Sequence, residues 1–381
     1  MQIQGYFDLQ FEAVKEAFAA LFEDPQERGA ALCVQVAGET VVDIWAGMAD
    51  KDGLQPWHSD TIANLFSCTK PFAAVAALQL VGEGKLELDV PVVRYWPEFA
   101  IAGKHRITLR QLLSHQAGLP ALRDMLPAEA LYDWPAMTAA LAAETPWWPL
   151  GEGHGYAPIT YGWLIGELLR RVEGRGPGEV IVARAAKPLA LDFHIGLDDG
   201  EFERVANISR GKGNLGDAAA QRLLKVMMSE PTAMSTRSFT NPPSIMTSTN
   251  KPEWRRMQQP AANGHGNARS LAGFYSGLLD GRLLESELLD EMTREHSIGL
   301  DKTLLTSTRF GLGCMLDQPQ LANATYGLGP RAFGHPGAGG SSGFADPERD
   351  LAFGFVTNNL GPFVLMDPRA QKLARVLADC L

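Results

Sequence analysis

The segment Ser67-Cys68-Thr69-Lys70 places a hydroxyl and an amine three residues apart, where the sequence can begin a helix. Residues three apart on a helix are neighbours, so the spacing predicts that the Lys70 amine lies beside the Ser67 hydroxyl. A buried lysine loses proton affinity, and such an amine can take the proton of a serine that attacks a carbonyl carbon. The alternative is that Ser67 only caps the helix and that Lys70 is a solvated residue of its first turn.

The pattern Ser-x-x-Lys occurs three times, and the surrounding sequence separates the three occurrences. Ser67 precedes Phe72-Ala-Ala-Val-Ala-Ala-Leu-Gln-Leu-Val, a strong helix former, and Pro71 is compatible with a first helical turn. The matches that begin at Ser209 and Ser248 lie among glycines and prolines, which do not hold a serine and a lysine one turn apart. We expect both of these segments to be loops.

A second candidate nucleophile is Ser341, the central residue of Gly-Gly-Ser-Ser-Gly at 339–343. This pattern serves as a nucleophile elbow where a strand precedes the serine and a helix directly follows it. Here Asp346-Pro-Glu-Arg-Asp and an apolar run follow, which predicts a turn and then a strand. The glycines therefore suit a strand edge that approaches a ligand, and Ser67 is the favoured nucleophile.

The elements that must position these residues fall into two groups. Apolar spacing predicts a helix at 11–22, strands at 30–36 and 40–45 joined by a hairpin at Gly38-Glu39, strands at 310–316 and 351–357, and a helix at 368–380. Helical patterns dominate from 71 to 292, apart from a proline-rich stretch at 228–263 that we expect to be irregular. Sheet material at both ends and helices between them predict two packed lobes with a cleft.

Composition excludes several classes of protein. The 381 residues carry 34 Lys and Arg against 44 Asp and Glu, a net charge of −10, and no basic stripe, so nucleic acid is not an expected partner. No run approaches the roughly 18 apolar residues of a membrane span, and the first residues lack the layout of a secretory signal, so we expect a cytoplasmic protein. The four cysteines have no metal-ligand spacing, and we expect neither a metal nor a cofactor.

Four segments in this order resemble the serine β-lactamase-like superfamily, and most of all the family VIII carboxylesterases, relatives of class C β-lactamases. The segments are Ser67 to Lys70, Ile-Thr-Leu-Arg-Gln-Leu-Leu-Ser-His-Gln-Ala-Gly-Leu-Pro at 107–120, Tyr156 before a helix, and Phe-Gly-His-Pro-Gly-Ala-Gly-Gly-Ser at 333–341. The resemblance implies one α+β domain over 1–381, in which an antiparallel sheet from the N- and C-terminal segments is flanked by helices. Its α/β lobe would be about 1–70 and 300–381, and its helical lobe about 71–299.

The resemblance also implies catalytic roles. Ser67 would be the acylated nucleophile, Lys70 its activating neighbour, and Tyr156 the second member of a proton-transfer pair whose phenol pKa the lysine ammonium lowers. Which of the two is the base stays open at this point. The third motif falls at His335, and the N–H groups of Ser67 and Ala338 would form the oxyanion hole.

Two positions depart from the family pattern. Pro158 stands where the family's Tyr-x-Asn motif has its asparagine, and His335, a weaker and pH-dependent cation, stands for the lysine of Lys-Thr-Gly. Both missing groups normally hold β-lactams or peptidyl substrates, so a simple ester fits better. His335 and Gly337 would contact the substrate along the cleft. Trp148, Phe344 and His265 are further candidates, with core packing as the alternative for the tryptophan and a structural role for His265.

The predicted protein is a carboxylesterase that hydrolyses short-chain esters, its small-molecule partners, through an acyl-enzyme on Ser67, without a metal or a cofactor. A β-lactamase or D-Ala-D-Ala peptidase is the first alternative. An acyltransferase would use the same residues with an alcohol in place of water. A non-catalytic binding relative is a further alternative.

Overall fold

The computed structural model describes residues 2–211, 215–243 and 247–381. Its strands are β1 (Gln4–Phe7), β2 (Gly29–Val36), β3 (Glu39–Gly47), β4 (Ala63–Asn64), β5 (Phe193–Ile195), β6 (Ser209–Arg210), β7 (Gly264–Gly266), β8 (Ser297–Leu300), β9 (Ser307–Phe310), β10 (Met315–Leu316), β11 (Phe333–Pro336), β12 (Ser342–Asp346), β13 (Leu351–Thr357) and β14 (Asn359–Leu360). Its α-helices are α1 (Glu12–Ala19), α2 (Lys70–Gly82), α3 (Leu109–Leu113), α4 (Trp134–Ala143), α5 (Thr160–Glu173), α6 (Pro177–Ile181), α7 (Ala218–Ser229), α8 (Met234–Thr240), α9 (Pro252–Arg256), α10 (Ala268–Leu279), α11 (Ser286–Thr293) and α12 (Pro368–Ala378).

A nine-stranded antiparallel sheet, in the order β1-β3-β2-β13-β12-β11-β10-β9-β8, forms the centre of the fold. The two ends of the chain meet where β2 pairs with β13, with Leu351 opposite Val36 and Thr357 opposite Ala30. The predicted α+β fold with an antiparallel sheet from both ends of the chain is confirmed. The residue bounds of the two lobes stay a prediction. The segment assigned to the helical lobe contains most of β8, which is a strand of this sheet, and all of α10, which packs on the sheet.

The alternation of side chains along β13 covers both faces of the sheet. Phe353 and Phe355 point to the core under α1 and α12, whereas Ala352 and Val356 point to the core that contains α10. Gly354 allows α10 to approach closely, because a Cβ atom there would lie 2.2 Å from the carbonyl oxygen of Ala268. Buried helices therefore cover both sides of the sheet.

Helix α2 carries Lys70 into the interior and is buried along almost its whole length. Its Phe72 ring stacks between the rings of Phe193 and Phe274, with centroids 3.8 Å apart in each case. A helix that is apolar on all sides packs inside a protein. With 13 residues, α2 is also shorter than the roughly 18 apolar residues of a membrane span. Across the described part of the chain, no helix combines the length and apolarity needed to cross a membrane.

Three local predictions were wrong. The turn between β2 and β3 uses Ala37 and Gly38, with φ of 50° and 79°, one residue earlier than predicted, because a two-residue turn of this type needs positive φ at both positions. The run at 310–316 is two strands, since Gly313 with φ of 74° turns the chain and Met315 pairs back on Phe310. The stretch at 228–263 contains α8 and α9 rather than irregular chain alone.

Candidate active site

Ser67 lies in a 3₁₀ turn, Phe66–Thr69, that leads directly into α2. The predicted α-helix therefore begins at Lys70 rather than at Ser67. A 3₁₀ turn has three residues per turn, so positions 67 and 70 still lie on the same side. Phe66, immediately before the serine, has φ of 47°, which is a strained conformation for a bulky residue. Residues with such backbone strain occur most often at functional sites.

The Lys70 amine is completely buried and has three oxygen neighbours. Nζ lies 3.2 Å from Ser67 Oγ, 2.8 Å from the carbonyl oxygen of Pro158 and 3.1 Å from that of Ala261. Burial lowers the pKa of Lys70 well below its ordinary value of 10.5. Within the described ranges no carboxylate forms an ion pair with this amine, so only the three oxygen neighbours and the nearby Cys68 act against the cost of burying its charge. Burial therefore shifts the balance toward the neutral amine.

Tyr156 lies beside both Ser67 and Lys70, with its ring centre 4.6 Å from Lys70 Nζ, and is only 5% exposed. Its hydroxyl donates to Ser67 Oγ at 2.7 Å, and its ring stacks on that of Phe310 with an interplanar angle of 4°. Burial raises the pKa of Tyr156 above its ordinary value of 10. The expectation that a lysine ammonium would lower this pKa was wrong, because Lys70 itself loses its proton affinity in the same buried setting.

A cavity of about 370 Å³ opens beside these three residues. Ser67, Tyr156, His335 and Ala338 line one part of it. Apolar side chains that cluster with Tyr156 also line it, among them Leu223, Met227, Phe239, Leu304, Met315 and Val364. Among the described lining residues, Arg210 alone carries a charged side chain, and it is exposed at the rim. The cavity therefore suits a largely apolar, uncharged ligand.

The end of β11 lies against the turn that carries Ser67. The Cys68 thiol donates to the carbonyl oxygen of His335 at 3.2 Å, and a Cβ on Gly337 would lie 2.5 Å from the carbonyl oxygen of Leu65. Gly337 thus permits the close approach and is not among the residues that line the cavity, although its neighbours Pro336 and Ala338 are, and its contact with substrate stays a prediction. In the described part of the chain, the N–H groups of Ser67 and Ala338 have no protein acceptor, so both are available at the cavity.

His335 lines the cavity but is not a cation. Its ring is 1% exposed, and burial, with a smaller contribution from Lys70, lowers its pKa to about 3. Nδ1 lies 2.8 Å from the carbonyl oxygen of Pro336, so Nδ1 carries the hydrogen and the ring is neutral. The predicted pH-dependent cation at this position is therefore wrong for the neutral pH range.

Three further candidates lie outside the cavity. Phe344 points to the face of the sheet that α1 and α12 cover, where it packs on Tyr326 and Phe353. Side chains alternate along a strand, so Phe344 points away from the face to which Ala345 points. His265 is completely buried in β7, where Nδ1 bonds the carbonyl oxygen of Asn263. Trp148 covers the loop before Tyr156, since a Cβ on Gly155 would touch its ring at 2.7 Å. None of the three is among the residues that line the cavity, and their predicted substrate contacts stay a prediction.

The rival serines are placed as strand and loop residues. Ser341 is buried in the turn before β12, and its Oγ accepts the N–H of Thr357 at 3.3 Å. No helix follows it, so the elbow geometry is not formed. Ser248 is buried, and its carbonyl oxygen accepts the N–H of Lys251. Ser209 lies in β6, and Lys212, its predicted partner, lies outside the described residues.

Comparison with known proteins agrees with this arrangement. Residues 14–378 match the sequence model of the Beta-lactamase family. The chain belongs to the Beta-lactamase family. It is 34% identical over 379 residues to the esterase/beta-lactamase LipL of Mycobacterium tuberculosis, an alignment that covers 96% of this chain and 85% of that protein. The resemblance predicted from the four sequence segments is confirmed.

Two crystal structures share the fold over their whole length. A penicillin-binding protein homologue from Caulobacter crescentus has a TM-score of 0.88 at 37% identity, and a family VIII carboxylesterase has a TM-score of 0.88 at 36% identity. Each alignment covers 100% of this chain and 100% of the other chain. The whole described chain therefore adopts the architecture of this family.

This Beta-lactamase family member holds Lys70 and Tyr156 with groups that the sequence does not reveal. The carbonyl oxygens of Pro158 and Ala261 and the carboxylate of Asp301, which binds the N–H of Tyr156, all come from segments distant in sequence. A backbone carbonyl has no residue signature. Asp301 lies two residues before Thr303, a spacing that favours a local turn. Nothing in this pattern specifies a contact with Tyr156.

Proposed function

We propose that the protein is a serine carboxylesterase that forms an acyl-enzyme on Ser67. The observation that carries this proposal is the convergence of Lys70 Nζ and Tyr156 OH on one Oγ atom, at 3.2 and 2.7 Å, beside an open cavity. A nucleophile with a base and an acid in contact is the arrangement that acyl transfer requires. The names of LipL and of the family VIII carboxylesterase, both of which mention esterase activity, support the same reaction class.

In this mechanism Lys70 is the base. A neutral amine has two N–H groups and one lone pair, and the carbonyl oxygens of Pro158 and Ala261 accept the two N–H groups. The third position on Nζ faces Ser67 Oγ at 3.2 Å, and Oγ also accepts the hydroxyl of Tyr156. In the proposed step the serine hydroxyl gives its proton to the lone pair of Nζ, which raises the electron density on Oγ as it attacks. The hydrogen bond from Tyr156 stabilises the negative charge that develops on Oγ, and the ammonium that forms keeps its two carbonyl acceptors.

Attack of Oγ on the ester carbon produces an oxyanion, and the N–H groups of Ser67 and Ala338 would donate hydrogen bonds to it. Each such donor contributes about 3 kcal/mol to lowering the barrier. Tyr156 remains protonated because its pKa is raised by burial, so its hydroxyl can give a proton to the departing alkoxide and regain one from the Lys70 ammonium. Water then enters by the reverse sequence and releases the acid.

The cavity favours small, neutral esters. Its volume of about 370 Å³ lies near the lower end of the range for small-molecule sites, roughly 300 to 1,000 Å³, and its wall is apolar. Among the described lining residues, the carboxylate of a β-lactam or a peptide meets no buried cation, because His335 is neutral and Arg210 is exposed. We therefore expect p-nitrophenyl butyrate to be hydrolysed with a much higher kcat/KM than nitrocefin or a D-Ala-D-Ala peptide.

The test is covalent labelling with a fluorophosphonate, followed by mass spectrometry of the labelled peptide. The adduct should lie on Ser67, and Ser67→Ala should lower esterase activity by about 10⁴-fold or more. Ser341→Ala is the matched control and should keep activity and labelling. An adduct on another residue, or esterase activity that survives Ser67→Ala, would refute the proposal. Faster turnover of nitrocefin than of the ester would refute the assignment of substrate.

A further inference from the structure

The backbone of Tyr156 is bound to a buried carboxylate. Its N–H donates to both oxygens of Asp301, at 3.1 Å to Oδ1 and 2.9 Å to Oδ2. Asp301 is completely buried and lies directly after β8, 145 residues away in the chain. This contact links the backbone of Tyr156, the candidate proton donor, to the residue that directly follows strand β8 of the central sheet.

Asp301 is itself held rigidly. Oδ1 accepts the N–H groups of Thr303 and Leu304, each at 2.8 Å, and Oδ2 accepts the hydroxyl of Thr308 at 3.0 Å. Every one of these partners is a donor, which suits the ionised carboxylate and fills its acceptor positions. Burial raises the pKa of Asp301 above its ordinary value, and these donors act against that effect.

A second link joins Asp301 to the same loop. His154 Nε2 lies 2.7 Å from Thr308 Oγ1. Because the Thr308 hydroxyl donates to Asp301, the His154 nitrogen must donate to Thr308. The carbonyl oxygen of His154 also accepts the N–H of Lys302 at 3.1 Å. Residues 154 and 156 are therefore both anchored on the turn that begins at 301.

The position of the phenol hydroxyl depends on this anchor. The ring of Tyr156 stacks on Phe310, which permits sliding in the plane of the rings, whereas the N–H contact with Asp301 fixes the start of the side chain. On the other side, Ala157 N–H donates to Nδ1 of His115 at 3.2 Å. A displacement of about 1 Å in a reacting group can cost about 10²-fold in rate.

We propose that Asp301 is a positioning residue for Tyr156, whose hydroxyl it holds at hydrogen-bonding distance from Ser67. This inference rests on the proposed function, in which Tyr156 gives the proton to the leaving alcohol. Asp301 does not touch the cavity and takes no part in bond making. Its effect is expected in kcat and not in the binding of the ester.

The first variant is Asp301→Asn. The amide turns one acceptor into a donor that faces other donors, so the loop must shift. With an alkyl butyrate, whose alkoxide leaving group needs the proton, kcat should fall by about 10- to 100-fold while KM stays nearly constant. The matched control is Asp317→Asn, since Asp317 is also completely buried and accepts the N–H of another tyrosine, Tyr326, at 2.6 Å, away from the cavity. Equal loss of kcat in both variants would overturn the proposal.

A double-mutant cycle with Tyr156→Phe separates positioning from general structural damage. If Asp301 acts through the Tyr156 hydroxyl, Asp301→Asn has no further effect on kcat once that hydroxyl is absent. An undiminished effect in the Tyr156→Phe background would overturn the proposal. Full activity of Tyr156→Phe would refute the role of Tyr156 in the proposed function, whereas loss there with full activity of Asp301→Asn would refute the present inference alone.

A milder pair of variants covers the case in which Asp301→Asn does not fold. Thr308→Val removes one donor from the carboxylate and should lower kcat by about threefold to tenfold. Thr308→Ser keeps the hydroxyl and should retain kcat. Circular dichroism melts establish that both variants are folded at the assay temperature. Identical kcat values for the two variants would contradict the proposal.

Discussion

The amine of Lys70 donates to the carbonyl oxygen of Pro158 at 2.8 Å, across 88 positions of sequence. Residue 158 is a proline, and its main-chain carbonyl supplies the acceptor. Together with the carbonyl oxygen of Ala261, it leaves one position on the amine for Ser67. We therefore propose the buried amine of Lys70, and not the phenol of Tyr156, as the base.

The first prediction concerns pH. The base must be neutral, so kcat/KM for an ester should rise with pH through the pKa of Lys70 and be lost below it. Because burial lowers that pKa well below 10.5, the enzyme should already be active near neutrality. Lys70→Arg stays protonated and should lose about 10²- to 10⁴-fold in kcat/KM, without an acid limb.

His335→Gln is the control for this pH profile. The pKa of His335 is lowered to about 3, so its titration lies below the assay range and its removal should leave the acid limb in place. A limb that disappears in His335→Gln would contradict the assignment to Lys70.

The second prediction concerns the phenol. Tyr156→Phe keeps the ring on Phe310 and should remain folded, but it removes the proton donor and should lower kcat by about 10²- to 10⁴-fold. Tyr161→Phe is the matched control. Tyr161 is also buried close to the lysine, with its ring 5.7 Å from Lys70 Nζ, but its hydroxyl has no partner among the described residues. Steady-state kinetics should show near wild-type activity for Tyr161→Phe.

The third prediction concerns the contact between β11 and the serine turn. A Cβ in Gly337→Ala would lie 2.5 Å from the carbonyl oxygen of Leu65, so the strand end must move away and carry the N–H of Ala338 with it. Loss of one oxyanion donor costs about 10²- to 10³-fold in kcat. Gly200→Ala is the control, because nothing lies within 4 Å of a Cβ there. A fully active Gly337→Ala would show that this N–H is not needed.

The fourth prediction concerns stability in acid. His265 is completely buried and its pKa is lowered to about 3, so between about pH 6.5 and 3 the unfolded chain binds a proton that the folded protein does not. The free energy of unfolding therefore falls on acidification, by up to about 1.4 kcal/mol per pH unit from this residue. His265→Gln removes that contribution and can keep a donor to the carbonyl oxygen of Asn263. Urea titrations at several pH values should show a shallower slope for the variant, and equal slopes would contradict the assignment.

Local sequence chemistry predicted the regular elements well. The run at 351–357 became β13 with those bounds. Spacing of three also brought Ser67 and Lys70 together, although through a 3₁₀ turn rather than an α-helix. These features depend on contacts between near neighbours in the chain, which is why a single sequence reveals them.

The surroundings of the site could not be read in the same way. Strand alternation shows that Phe344 and Gly343 point in opposite directions, but not which direction leads to the cavity. The pKa values of Tyr156 and His335 follow from burial, which depends on segments far away in sequence. The Asp301 contact spans 145 residues and was not predicted for the same reason.

Both acceptors that hold the Lys70 amine belong to the main chain, and this affects how the protein can vary. A codon change at 158 or 261 replaces a side chain but leaves a peptide oxygen in place. Mutant libraries can therefore randomise Ala261 and its neighbour Ala262, which lines the cavity, to search for new substrates while the machinery for proton removal persists. An acceptor carried by a side chain would be lost in nearly every such replacement.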